Sequence, residues 1–453
     1  MADMITYICK RTVVSTKPVQ PGKYYPLSVL DRLMERNHIR MVFYYRSTGD
    51  REAGETTKKL RESLSEMLTF FPIVTGRLLK NNEGQWMIKC NDAGVRMVEA
   101  RAKGSVDEWL KQLDREKELK LVHWEDMYHK PYFWSTFYVQ LTEFEEGGLA
   151  VGLSCIQLLA DPICATILIK SWADSTLTGA MISPPTFHPL PPRKPANKDS
   201  THQPYSHLIN HYKSLIEKRT HAITSAKQAT ITLTFTHQMV QACIDMALTT
   251  GAPDRTRPSP FEALASLFWV CLSKVKGMKE ELINMSVCLD MRSVLGLDKG
   301  FFGNCMVYNK VSTASLGKNK LSSAAKAIGE VVAKMDNEGI MDLIEWLEGK
   351  DKHSPPLMNG CDLISASLEG VDPYLVTFEE GFSPIHVSYH IEAGFGFSQV
   401  LVLPSPSGDG PLSRVVIVTL PEDEVVKLCE DDLILRLSPT RARILSSSIT
   451  KNG

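Results

Sequence analysis

The residues best placed to do chemistry lie in one short run, LSCIQLLADP, from Leu153 to Pro162. It gathers a thiol (Cys155), an amide (Gln157) and a carboxylate (Asp161). A nucleophilic thiol needs a nearby base or cation to lower its pKa, and none adjoins Cys155 in sequence. The Gln157 amide donates or accepts a hydrogen bond but has no basicity near neutral pH, so it reads as a polar residue at a strand end. Asp161 followed by proline has the form of a helix N-cap, where a carboxylate meets free backbone N–H groups and the favourable end of the helix dipole. His207 and His211 are spaced by four, as are His386 and His390, yet neither pair has an evident third ligand, so no metal site is predicted. The chain carries no G-x-x-x-x-G-K-[ST], G-x-G-x-x-G, G-x-S-x-G or H-E-x-x-H motif, which leaves nucleotide-binding, serine-hydrolase and zinc-hydrolase classes without support.

The elements around this run follow from its patterning. Leu149, Val151, Leu153 and Cys155 alternate with the small residues Ala150, Gly152 and Ser154, as in a buried strand, and Asp161-Pro162 then opens a helix. Leu149 to Ile169 is long enough to cross a bilayer, but a charge and a proline at its centre argue against a membrane span. The 453 residues exceed what one core usually supports. The proline-rich, polar stretch from Ser183 to Pro204 divides the chain into residues 1–182, a crossover 183–221 and residues 222–453. In the second half, Ser259, Pro260 and Glu262 form a capping-box signature, and Phe261, Leu264, Ala265, Phe268, Cys271 and Leu272 then recur at helical spacing as one core-facing stripe. The apolar run from Ser413 to Leu420 reads as a strand, so both halves are mixed α/β.

Composition sets further bounds. With 43% hydrophobic and 23% charged residues and a formal net charge of -1, the chain is expected to be soluble and globular and not to bind nucleic acid. The ten cysteines are scattered singly, as buried thiols in a reducing compartment. The first residues, MADMITYICKRTVV, contain no sustained apolar stretch of the kind a secretory signal needs.

Seven blocks, in order, resemble the plant BAHD acyltransferases, which move an acyl group from coenzyme A to an alcohol or amine. They are PLSVLD (Pro26 to Asp31), FPIVTGRL (Phe71 to Leu78), IKCNDAGVRMVEA (Ile88 to Ala100), QLTEFEEGGLAVGLS (Gln140 to Ser154), SPFEALASLFW (Ser259 to Trp269), DMRS (Asp290 to Ser293) and FFGN (Phe301 to Asn304). The resemblance implies an α/β, two-domain, chloramphenicol-acetyltransferase-like fold, with mixed sheets, flanking helices and a channel between the domains. The family's His-x-x-x-Asp-Gly motif falls on Gln157, Asp161 and Pro162, so Gln157 occupies the position of the catalytic histidine and no catalytic residue is assigned. Its Asp-Phe-Gly-Trp-Gly motif falls on Glu392, Ala393, Gly394, Phe395 and Gly396, which keeps the acid and both glycines as structural residues but loses the tryptophan. The family's aspartate pairs with an arginine, which implies an ion pair between Asp161 and Arg292.

Within the family, the same features are most similar to the clade called eceriferum or glossy, associated with wax biosynthesis. That resemblance implies a non-catalytic protein that promotes very-long-chain fatty acid elongation. It would act with a condensing enzyme of the fatty-acid elongase, a 3-ketoacyl-CoA synthase. It also implies a cytosolic monomer held at the endoplasmic reticulum by its partner, without a cofactor, that takes an acyl chain or acyl-CoA. The alternative is an active coenzyme A-dependent acyltransferase with a substitute base, for which acyl-CoA is the co-substrate.

Overall fold

The computed structural model describes residues 4–17, 22–35, 37–46, 54–112, 114–125, 132–193, 206–217, 227–248, 257–278, 280–312, 319–349, 362–392, 398–406 and 410–442. The run from Leu149 to Ile156 is a strand with all eight residues buried. It lies between the strands Phe137–Phe144 and His38–Tyr45, antiparallel to both. Gly152 has a steric role there: a Cβ at this position would overlap the Leu121 carbonyl, because the segment after the short helix Arg115–Leu119 crosses the sheet against its backbone.

This first sheet has six strands, ordered Ile5–Val13, Val95–Ala102, Phe137–Phe144, Leu149–Ile156, His38–Tyr45 and His386–Glu392. The last of these comes from the C-terminal half and pairs antiparallel with His38–Tyr45, from His386 opposite Tyr44 to Glu392 opposite His38. The second sheet has seven strands, ordered Met306–Val311, Met285–Asp290, Leu363–Ser367, Ser398–Pro404, Arg414–Pro421, Gln228–Phe235 and Thr440–Ala442. Each sheet mixes parallel and antiparallel neighbours. A small third sheet joins Tyr24–Pro26, Trp86–Lys89 and Arg77–Lys80.

One apolar cluster runs through both halves, from Val13 through Phe71, Trp172 and Phe268 to Leu437. The helix Pro260–Val275 shows the capping box read from sequence, with Ser259 and Glu262 exchanging bonds. Its burial extends beyond the expected stripe: Ala263, Leu267, Trp269 and Val270 are buried too, so the helix is enclosed on nearly all sides. The stretch from Pro184 to Arg193 packs against the second half. Thr186 bridges to Phe301, and Arg193 binds Glu338, Asp342 and Glu345. A helix, Ser206–Glu217, follows within the segment read as crossover, and its Tyr212 hydroxyl accepts the Tyr308 N–H at 3.0 Å. Among the described residues no helix is long and apolar enough to cross a membrane.

Candidate functional site

Where the strand Leu149–Ile156 ends, the chain turns through Gln157 and Leu158 and enters the helix Pro162–Thr178. The turn is pinned by its backbone: the Gln157 N–H donates to the Asn37 carbonyl at 2.8 Å, and the Gln157 carbonyl accepts from Asn304 Nδ2 at 2.7 Å. Its side chain is fully buried, and neither Oε1 nor Nε2 has a hydrogen-bond partner among the described residues. The Tyr308 phenol interacts with the amide without a geometry that satisfies it. Asn304 Oδ1, next to it, is also buried and unbonded. Unsatisfied polar atoms on two neighbouring side chains are uncommon in a protein interior and are the groups that water or a polar ligand would satisfy.

Beneath Gln157 the resemblance blocks converge. Asp31, from PLSVLD, accepts from the Asn304 N–H (2.8 Å), from Asn304 Nδ2 (2.9 Å) and, through its other oxygen, from the Ser28 N–H (2.7 Å). Burial pushes the Asp31 carboxyl above its usual range, against these hydrogen bonds, which lower it. Asp161 caps its helix through Oδ1, which accepts the Cys164 N–H at 2.8 Å, and Oδ2 accepts the Cys305 N–H at 2.9 Å. Both oxygens also accept from Arg292 Nη2, at 3.1 and 2.9 Å. Arg292 in turn donates to Asp290 (2.8 Å) and to the Gly303 carbonyl (2.6 Å). Burial alone would lower the Arg292 pKa, but Asp161 and the anionic groups around it hold it well above the usual value. The guanidinium is therefore a fixed cation in a fully hydrogen-bonded knot.

The thiols and the phenol beside this knot are held protonated at neutral pH. Burial pushes the thiols of Cys155, Cys164 and Cys288 far above their ordinary range, in the case of Cys164 against the pull of Arg292. It does the same to the Tyr308 phenol. In the strand ladder His38 stands opposite Ile156, with its ring stacked on Trp124 at 4.9 Å.

The second paired-histidine motif has a different explanation. His386 and His390 lie on one face of their strand. His386 bonds Ser388 at 3.1 Å, while His390 bonds Glu118 through Nε2 and Arg115 through Nδ1, both at 2.8 Å. Tyr44 donates to the other Glu118 oxygen at 2.8 Å, and Arg115 also reaches Thr230 of the second sheet at 3.4 Å. No group of three or more potential metal ligands forms among the described residues. Sequence reasoning missed Asn304, Asp31 and Glu118 as site residues. The S-x-x-D spacing of Ser28 and Asp31 was a legible capping signal, whereas nothing local marks Glu118. Glu392 ends the strand opposite His38, and Gly394 and Gly396 lie outside the described residues.

A sequence model described as the transferase family matches residues 3–433. The chain belongs to the BAHD transferase family. Its relatives fall into two groups by name. Protein ECERIFERUM 26 of Arabidopsis thaliana is 26% identical over 420 residues, covering 92% of this chain and 92% of the relative. A hydroxycinnamoyltransferase of Narcissus pseudonarcissus is 24% identical over 453 residues, covering 94% of this chain and 98% of the relative. Among solved structures, vinorine synthase superposes with a TM-score of 0.71 at 18% identity, covering 96% of this chain and 98% of its own. That likeness concerns the fold, which is the two-sheet acyltransferase architecture.

Proposed function

We propose that this BAHD-family chain has given up acyl transfer and promotes very-long-chain fatty acid elongation for cuticular wax by acting with a condensing enzyme of the fatty-acid elongase. The observation that carries this is Gln157, a buried amide without basicity at the position of the family's catalytic histidine, its side-chain atoms without a hydrogen-bond partner among the described residues. Acyl transfer from a thioester needs the acceptor hydroxyl or amine to lose a proton as it attacks, and removing general-base assistance typically costs about 10² to 10⁴ in rate. Meanwhile the parts that give the site its shape persist: the Asp161–Arg292 pair, the capped helix and the Asp31–Asn304 bridge. A scaffold kept in this detail without its base suits a binding or docking role. Similarity to ECERIFERUM proteins supports placing that role in wax metabolism; we place it at the endoplasmic reticulum, reached through a protein partner.

The alternative is an active acyl-CoA-dependent transferase, and it draws on relatives such as the hydroxycinnamoyltransferase. It requires positioning alone, or a base reaching the site, to carry the rate. Incubating the purified protein with acyl-CoA and a panel of alcohol and amine acceptors separates the two. The non-catalytic role predicts no release of free coenzyme A above background, and acceptor-dependent turnover removes it.

A further inference from the structure

A concavity of about 340 Å³ opens beside the start of the edge strand Ile5–Val13 and shares no residue with the Asp161–Arg292 knot. Its walls include Met4, Lys103, Glu108, Trp109, Lys111 and Lys117. The backbone sets them side by side. The Lys103 N–H donates to the Met4 carbonyl at 3.0 Å, Ser105 caps the helix Val106–Lys111, and Asp114 caps the helix carrying Lys117 at 2.8 Å. Trp109 forms an apolar wall, held edge-on to Phe144 at 5.8 Å. Three lysines and one carboxylate, Glu108, thus line the cleft. Lys117 is partly engaged, 3.7 Å from Asp114, while Lys103 and Lys111 make no ion pair among the described residues. The neighbouring acid Asp107 pairs with Arg46 at 2.9 Å and also lies within the field of Lys111.

Beside this cationic cleft the edge strand turns apolar groups to solvent. Met4 is 38%, Tyr7 58% and Ile8 55% exposed, and Ile8 falls at a bulge where the ladder to Val95–Ala102 shifts register. Cations around a cleft, with an exposed aromatic and aliphatic fringe, match the chemistry of a membrane interface. Phosphate is drawn to lysine there, and apolar side chains enter the headgroup–acyl boundary. We propose that this cleft is a docking seat for an anionic phospholipid surface, with a headgroup phosphate between Lys103 and Lys111 and with Met4, Tyr7 and Ile8 entering the interface. A chain without a described membrane-crossing helix then has its own contact with the bilayer, independent of any protein partner and of whether the Gln157 site is catalytic.

The test is co-sedimentation of the full chain with vesicles of phosphatidylcholine alone and of phosphatidylcholine mixed with phosphatidic acid. Binding is expected only to the mixed vesicles and to weaken with added salt. Lys103→Ala with Lys111→Ala should weaken it about 30-fold, roughly fivefold per lysine. Tyr7→Ser with Ile8→Ser should weaken it as well, with thermal melting unchanged because all four side chains are peripheral. A control pair of exposed lysines, Lys299→Ala with Lys334→Ala, should leave binding intact. Equal binding to both vesicle types, an equal loss in the control pair, or undiminished binding by the lysine variant overturns the proposal. So does a stabilising shift with inorganic phosphate when no vesicle binds, which would make the cleft a site for a free phosphate compound.

Discussion

Asp161→Ala is the perturbation whose cost is best defined by the structure. The substitution removes the cap acceptor for Cys164, worth about 1 kcal/mol. It also takes the acceptor from the buried Cys305 N–H, at about 1–3 kcal/mol. Most of the loss comes from Arg292, left as a buried cation, a change that typically costs about 3–5 kcal/mol. Asp290 still accepts from its Nη1 and limits the damage. The three losses share one site and overlap, so the total is set at about 4 kcal/mol, a large part of the roughly 5–15 kcal/mol that holds most folds. Urea unfolding followed by tryptophan fluorescence reads this as a lower midpoint and less soluble protein. Asp161→Asn, which still caps, should lose about 1 kcal/mol less. Asp161→Leu combined with Arg292→Met, which removes both charges, should recover much of the stability. A midpoint for Asp161→Ala within about 1 kcal/mol of the parent would refute the structural role given to Asp161.

Three further outcomes follow from the same geometry. Gln157→His restores a base at the family position, and if its absence is the lesion, coenzyme A release should rise by about 10² to 10⁴ over the parent; no gain would mean that the surroundings, not the missing base, block transfer. Burial pushes the Glu118 carboxyl up, but His390 and His386 draw it down to about 2 from 4.5. The stability it supplies is therefore lost as pH falls from about 4.5 towards 2. Glu118→Gln should flatten that acid limb in a pH series of unfolding midpoints, and an unchanged slope contradicts it. Gly152→Ala should cost about 1–3 kcal/mol, because the new methyl meets the Leu121 carbonyl and pushes that segment off the sheet; a calorimetric melting temperature equal to the parent's would show that the crossing segment yields freely.

The site's skeleton was legible where the signals were local. Alternation to Cys155, then Asp161-Pro162, gave the strand, turn and capped helix, because a strand period of two and an N-cap each act over a few residues. Long-range pairing left no such mark. The strand His386–Glu392 crosses from the second half into the first sheet, so that sheet is not built from residues 1–182 alone, and His390 meets a glutamate 272 positions away. Enclosure of the helix Pro260–Val275 on nearly all sides was hidden because Ser266 and Ser273 break its apolar run, yet each hydroxyl bonds a backbone carbonyl and is buried without exposing the helix. The convergence of Asp31, Asn304 and Arg292 under Gln157 was present in the block order but not in any one block.

The central claim is most directly tested by co-expressing the chain with candidate condensing enzymes in a heterologous host and reading fatty-acid chain lengths, for the parent and for Gln157→Ala. The non-catalytic role predicts longer products with at least one condensing enzyme, and the same lengthening by Gln157→Ala at equal protein level. Products that never lengthen, or lengthening that Gln157→Ala abolishes while the protein stays folded, would contradict it.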